Sequence, residues 1–193
     1  MPRIAPLSPG QGGPFARVSL RQATRRLGRT PESFAIAARH QGILAGNVAF
    51  ELALERSTRV PMALKELASV KAASVAGCAF CLDIGSWLAR THGVTEEQLR
   101  ELSDHRESAA FSDVEKLVLD YADAMSRAPV EVSDGLFAAL RSHFDERQLV
   151  ELTGAIAWEN HRARFNAALD VGAQGFSEGA VCAAPAAAAA SAA

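Results

Sequence analysis

Stretches of apolar residues spaced three and four apart, each closed by a capping residue, a glycine or a proline, constrain this chain more than any other feature. They commit it to helices. Leu44, Val48 and Leu52 stand four apart in a segment from Leu44 to Arg56. After Pro61, residues Leu64, Leu67, Ala68, Ala72 and Val75 keep helical spacing as far as Gly77. A further helix is predicted from about Cys78 to His92, where Gly93 stops it. Thr95 with Gln98 three residues on is a capping box. Ser112-Asp113-Val114-Glu115 is a cap-like start, leading into Leu117, Leu119, Tyr121 and Met125 until Pro129. Ser133 or Asp134 opens the next segment, with Leu136, Phe137 and Leu140. The last long one follows Asp145, carries Leu149, Leu152, Ile156, Trp158 and Phe165, and closes at Gly172 or Gly175. Upstream, Thr30-Pro31-Glu32 reads as a Thr cap with proline at the first helical position.

Aromatic residues make up only 6% of the chain, while 49% is hydrophobic and much of that is Ala and Leu. Such a composition suits helices that approach closely through small side chains, not a sandwich or barrel. A length of 193 residues fits one compact all-α domain. Its expected bounds are 15–178, between a Pro- and Gly-rich segment at 1–14 and an Ala-rich tail at 179–193, both expected to lack fixed structure.

The formal charge of −2 gives no electrostatic reason to expect nucleic acid or an anionic membrane as partner. The basic group Arg21, Arg25, Arg26 and Arg29 reads as a solvated helix face or a subunit contact. No apolar run reaches the length of a membrane span, and the N-terminus lacks a hydrophobic signal core. The expected setting is the cytoplasm, where thiols stay reduced and three cysteines do not make a disulfide framework.

The sharpest local feature is Gly77-Cys78-Ala79-Phe80-Cys81. Two cysteines three apart put both sulfurs on one side of a helical turn, close enough to bond. At a helix N-terminus, free backbone N–H groups and the macrodipole favour a thiolate. A neighbouring thiol then resolves an oxidised sulfur as a disulfide. Plain packing of two small apolar residues is the rival reading. Structural zinc would need a second Cys/His pair that the sequence lacks, so no metal is expected. Nor is there a Gly-rich phosphate loop, so no organic cofactor is expected.

Glu66 precedes Cys78 by twelve residues and on one straight helix would lie about 18 Å away. It approaches the thiols only if the chain turns back near Gly77 or another subunit supplies it. His92 reads as a cation at the end of its helix. His161 sits beside Glu159 and Asn160, a polar group that interrupts an apolar run; an exposed face or subunit contact is the preferred reading, with a site role as the alternative. Asp83 reads as a carboxylate serving its helix dipole, and Cys182 as a bystander thiol.

The segment from Pro61-Met62-Ala63-Leu64-Lys65-Glu66-Leu67 through Cys78-Ala79-Phe80-Cys81-Leu82-Asp83 resembles the carboxymuconolactone decarboxylase and alkylhydroperoxidase-D-like superfamily. The motif of its redox branch is a Glu, eleven residues, Cys, two residues, Cys, three residues, His. Glu66, Cys78 and Cys81 fall on the first three positions, and Gly85 on the fourth. Thr95 to Leu99, Phe111 to Tyr121, Phe144-Asp145-Glu146 and Arg164-Phe165-Asn166 also resemble family segments, so the likeness runs from about Ile43 to Phe176. It implies an all-α domain of antiparallel helices with the CxxC pair at a helix N-terminus. It also implies a dithiol oxidoreductase of peroxidase (peroxiredoxin) type, acting on a small-molecule peroxide or a disulfide-bearing redox partner. In that reading Cys81 attacks, Cys78 resolves and Glu66 assists proton transfer, within a homo-oligomer, a trimer or hexamer. Gly85 offers no imidazole to share the proton work. Rival readings are the superfamily's lyase activity and a non-catalytic helical oligomer carrying a relic motif.

Overall fold

The computed structural model describes residues 1–8 and 10–186. The described residues form nine α-helices and one short 3-10 turn at Leu102–Asp104, with no strand. The helices are α1 (Pro14–Leu27), α2 (Glu32–Ala37), α3 (Gln41–Arg56), α4 (Met62–Ala76), α5 (Ala79–Thr91), α6 (Glu96–Arg100), α7 (Asp113–Ser126), α8 (Asp134–Arg141) and α9 (Glu146–Ala168). Capping boxes at Thr95, Ser112 and Asp145 start α6, α7 and α9; the sequence marks the box at Thr95 and helix starts at the other two positions. Thr30 does not cap α2: its hydroxyl pairs with Thr24, and Pro31 takes the N-cap position.

α4 is the helix on which α5, α7 and α9 pack. Its small residues make that possible. Ala68 and Ala72 are fully buried against Val118, Tyr121 and Ala122 of α7 and Leu152 and Ile156 of α9. On another side Leu67, Val70 and Ala73 join Phe80, Cys81 and Leu82 of α5 in a second cluster. Truncating Leu67 to Ala in such a core costs about 2–5 kcal/mol.

Gly77 makes the α4–α5 reversal. It takes φ 66°, a left-handed conformation that favours glycine, and its N–H bonds back to the Ser74 carbonyl at 3.2 Å. α5 therefore runs antiparallel to α4, with Cys78 as its N-cap. Buried Lys65 ties this core to α3: its ammonium donates to the Leu54 and Ser57 carbonyls at 2.9 and 2.5 Å and to Glu151 at 2.7 Å.

Both chain ends, expected to lack fixed structure, make specific contacts over their described residues. The Arg3 and Leu7 N–H groups donate to the carbonyls of Leu169 and Ala35. At the other end a strap over residues 174–186 lies along α5 and the end of α4. Asp83 is buried, and its carboxylate accepts the Gln174 and Ser177 N–H groups at 2.7 and 2.8 Å. Ser86 accepts the Ala183 N–H at 3.0 Å, and Ser74 donates to the Ala184 carbonyl at 2.7 Å. Pro and Gly keep these segments from being regular helix, yet their backbone groups remain free to bond to the core. Asp83 thus serves the strap, not the dipole of its own helix. The rest of the Ala-rich tail, 187–193, lies outside the described residues. None of the described helices is long and apolar enough to cross a membrane.

Candidate functional site

Cys78 and Cys81 are joined as a disulfide at the first turn of α5. Cys78 caps the helix through its sulfur, which accepts the Cys81 N–H at 3.2 Å. Asn166 of α9 reaches over the pair. Its Nδ2 donates to Cys81 Sγ at 3.4 Å and lies 3.9 Å from Cys78 Sγ, while its Oδ1 is buried without a hydrogen-bond partner among the described residues.

Cys81 lines a cavity of about 670 Å³; Cys78 is not part of that lining. Cys81, Gly85, Leu88 and His92 of α5 all face it, spaced four, three and four apart on one side of the helix. Phe80, Trp87, Trp158 and Phe165 give it aromatic walls. Gly85 lies opposite Val70 of α4, whose methyl would stand 3.3 Å from a Cβ placed at Gly85. Glu66, one turn before Val70, is therefore level with about residue 89 and about 12 Å along α5 from Cys81.

That far end of the cavity is charged. Glu66 Oε1 lies 3.3 Å from His92 Nδ1. Arg162 of α9 pairs with Glu51 of α3 at 2.8 Å and with Glu159 on its own helix at 2.9 Å. Trp158 donates to Glu51 at 2.8 Å. Burial pushes the Glu66 carboxyl up to about 7, Arg162 and Lys65 pulling against it and Glu51 with it. Burial likewise raises Glu159 to about 7, against the pull of Arg162. Burial also opposes the charge on Arg162, but Glu159, Glu51 and Glu66 outweigh it and raise its pKa. Glu159 Oε1 is buried with no hydrogen-bond partner among the described residues. Three carboxylates around one guanidinium, two of them (Glu66 and Glu159) largely withdrawn from water, favour keeping a proton in the cluster.

The structure thus brings Cys81, Glu66 and His161 to one cavity, with Cys78 behind Cys81. Glu66 bonds to His92, not to either sulfur. His92 does stand at the C-cap of α5, as read from sequence, but its ring also meets Glu66. His161 is exposed and stacks on Trp158, with centroids 4.7 Å apart. Sequence reasoning missed Glu51, Glu159, Arg162 and the role of Asn166. The signal was present: 159, 162 and 166 are spaced three and four apart, a polar stripe along one side of the helix.

The carboxymuconolactone decarboxylase family matches residues 48–124, from the middle of α3 through the dithiol and most of α7. The chain belongs to this family. The uncharacterized protein YnjA of Escherichia coli (strain K12) is 41% identical over 112 residues, which are 58% of this chain and 62% of YnjA, so the match spans less than two thirds of that relative. The uncharacterized protein YdfG of Bacillus subtilis (strain 168) is 32% identical over 106 residues, 54% of this chain and 72% of YdfG. Among solved structures, the debrominase Bmp8 in complex with 2,3,4-tribromopyrrole superposes with a TM-score of 0.82 at 20% identity, over 90% of this chain and 92% of that one. A peroxidase-related protein from Silicibacter sp. gives 0.77 at 19% identity, over 92% and 95%. At these identities the likeness to the solved structures is one of fold, an all-helical architecture; in this chain the CxxC pair opens one of the helices.

Proposed function

We propose that this protein is a dithiol oxidoreductase that reduces a small-molecule peroxide, with Cys81 attacking and Cys78 resolving. The observation that carries the reading is the asymmetry of the pair: Cys81 lines a cavity whose other end holds a proton-retaining carboxyl, while Cys78 does not line it. The Cys81 thiolate attacks one oxygen of ROOH; an S–O bond forms and the O–O bond breaks. The departing RO⁻ takes a proton delivered from Glu66 through the cavity. Cys78 then attacks the sulfur of Cys81–SOH, and hydroxide leaves with the Cys78 proton as water. The disulfide described here is the oxidised end of that cycle. An external dithiol, in the cytoplasmic setting this reading assigns, returns it to two thiols. Peroxidase-related neighbours of the fold support the reading, and a homo-oligomer accords with the exposed Ile43 and Phe50 on α3.

Cys81→Ser abolishes peroxide-dependent consumption of a dithiol reductant, a fall of more than about 1000-fold, while Cys78→Ser leaves a sulfenic acid at Cys81 that a dimedone-type reagent traps. Equal residual activity in the two variants overturns the division of roles.

The volume and aromatic walls of the cavity favour a second reading, reductive dehalogenation of an aromatic substrate. There two thiols and Ar–X give Ar–H, the disulfide and HX, with the carbon protonated from the acidic cluster. Halide release that depends on both cysteines would support it, and its absence across halogenated pyrroles and phenols would remove it.

A further inference from the structure

We infer that Asn166 is the group that supports the Cys81 thiolate in this chain, and that its amide tips the pair towards the reduced state. Two observations carry this. The amide lies across both sulfurs, with Nδ2 at 3.4 Å from Cys81 and 3.9 Å from Cys78. Asn166 is 2% exposed, so water does not compete for it.

Reduction changes what the amide meets. An external dithiol R(SH)₂ transfers two electrons to the S–S bond and becomes the cyclic disulfide RS₂. Of its two protons, one stays on Cys78 as S–H and the other is released, leaving Cys81 as S⁻. Nδ2–H then donates to an anion instead of to a neutral sulfur, which roughly doubles the strength of such a bond. This stronger bond exists only in the reduced state, so the amide favours opening of the disulfide. The first turn of α5 favours the Cys78 position, which caps the helix; Asn166 supplies a donor to the sulfur that faces the cavity. Gly85, the next cavity-facing position after Cys81, offers no side-chain donor, and Asn166 approaches from α9 instead.

The inference rests on the dithiol reading of the site, but its test needs no peroxide and no turnover. Wild type and Asn166→Leu, which keeps the volume, are equilibrated with reduced and oxidised dithiothreitol. The pH dependence of Cys81 alkylation is read by mass spectrometry. The expected result is a reduction equilibrium constant at least tenfold lower in Asn166→Leu, equivalent to about 30 mV, and a Cys81 thiol titrating about one pH unit higher. If Asn166→Leu does not fold, Asn166→Asp keeps the shape and removes the N–H donors; the same two directions are expected. An equilibrium constant and a thiol pKa unchanged in either folded variant overturn the role of Asn166 and leave the dithiol reading intact. A wild-type disulfide that dithiothreitol does not open in the folded protein overturns both.

Discussion

The two ends of the cavity are built on opposite principles. At the start of α5 the sulfurs meet one backbone N–H and one neutral amide, with no charged side chain bonded to either. At the far end, Glu66, Glu159, Glu51, His92 and Arg162 crowd together, with the Arg26–Glu55 pair of α1 and α3 and the buried Lys65 nearby. In the proposed cycle the electron chemistry sits where the protein is neutral, and the proton store where it is charged. Gly85 lies between them, a bare stretch of helix at the position where the resembled redox motif has histidine. On that reading nucleophile and proton source need not touch, provided one cavity joins them.

The largest test of that division is Glu66→Gln. If the acidic end feeds the cysteine end, peroxide turnover falls by roughly 100-fold, while the Cys81 alkylation profile stays where it was. Loss of turnover together with a displaced thiol titration would mean that the two ends are one electrostatic unit.

A smaller effect is expected on stability. Glu66 and Glu159 titrate at about 7 in the fold against 4.5 for an ordinary Glu, both through burial. Their raised values favour the protonated form, so the stability they allow is complete below the unfolded pKa and is lost as pH rises through the folded one. Thermal unfolding should show a loss on the order of 2 kcal/mol between about pH 5 and pH 8 that Glu159→Gln reduces. A pH slope identical in that variant would show that Glu159 does not hold the proton.

The smallest concerns the gap itself. Gly85→His puts an imidazole between the two ends and should raise turnover about tenfold by shortening the proton route. Its Cβ must displace the Val70 methyl 3.3 Å away, at a stability cost of about 1–2 kcal/mol. A rate no higher than that of Gly85→Ala would show that the gap is not limiting.

Much of this was legible in the sequence. The capping box at Thr95, the starts at Ser112 and Asp145, and the stops at Gly77 and Gly93 placed α4 to α9, because such signals are local and obey fixed geometry, while the reversal at Gly77 stayed open. Glu66 stood out as a carboxylate in an apolar helix. What pairing it would make was hidden, because the 66–92 contact depends on where two antiparallel helices come level, which no single-helix spacing states. Glu159, Arg162 and Asn166 shared a face, but a polar stripe on a surface helix is usually solvated. Only the packing of α9 against α4 and α5 turned it inward. Asp83 misled for a similar reason: its partners are backbone N–H groups about ninety residues away, whose residue types carry no trace of the bond.

That bond bears on the thiols in another way. Asp83 lies two residues beyond Cys81, on a different side of the same helical turn. By capturing its two oxygens, the strap's N–H groups tie residues about ninety positions away to the first turns of α5. The C-terminal residues therefore act as a clamp on the turn that presents the cysteine pair.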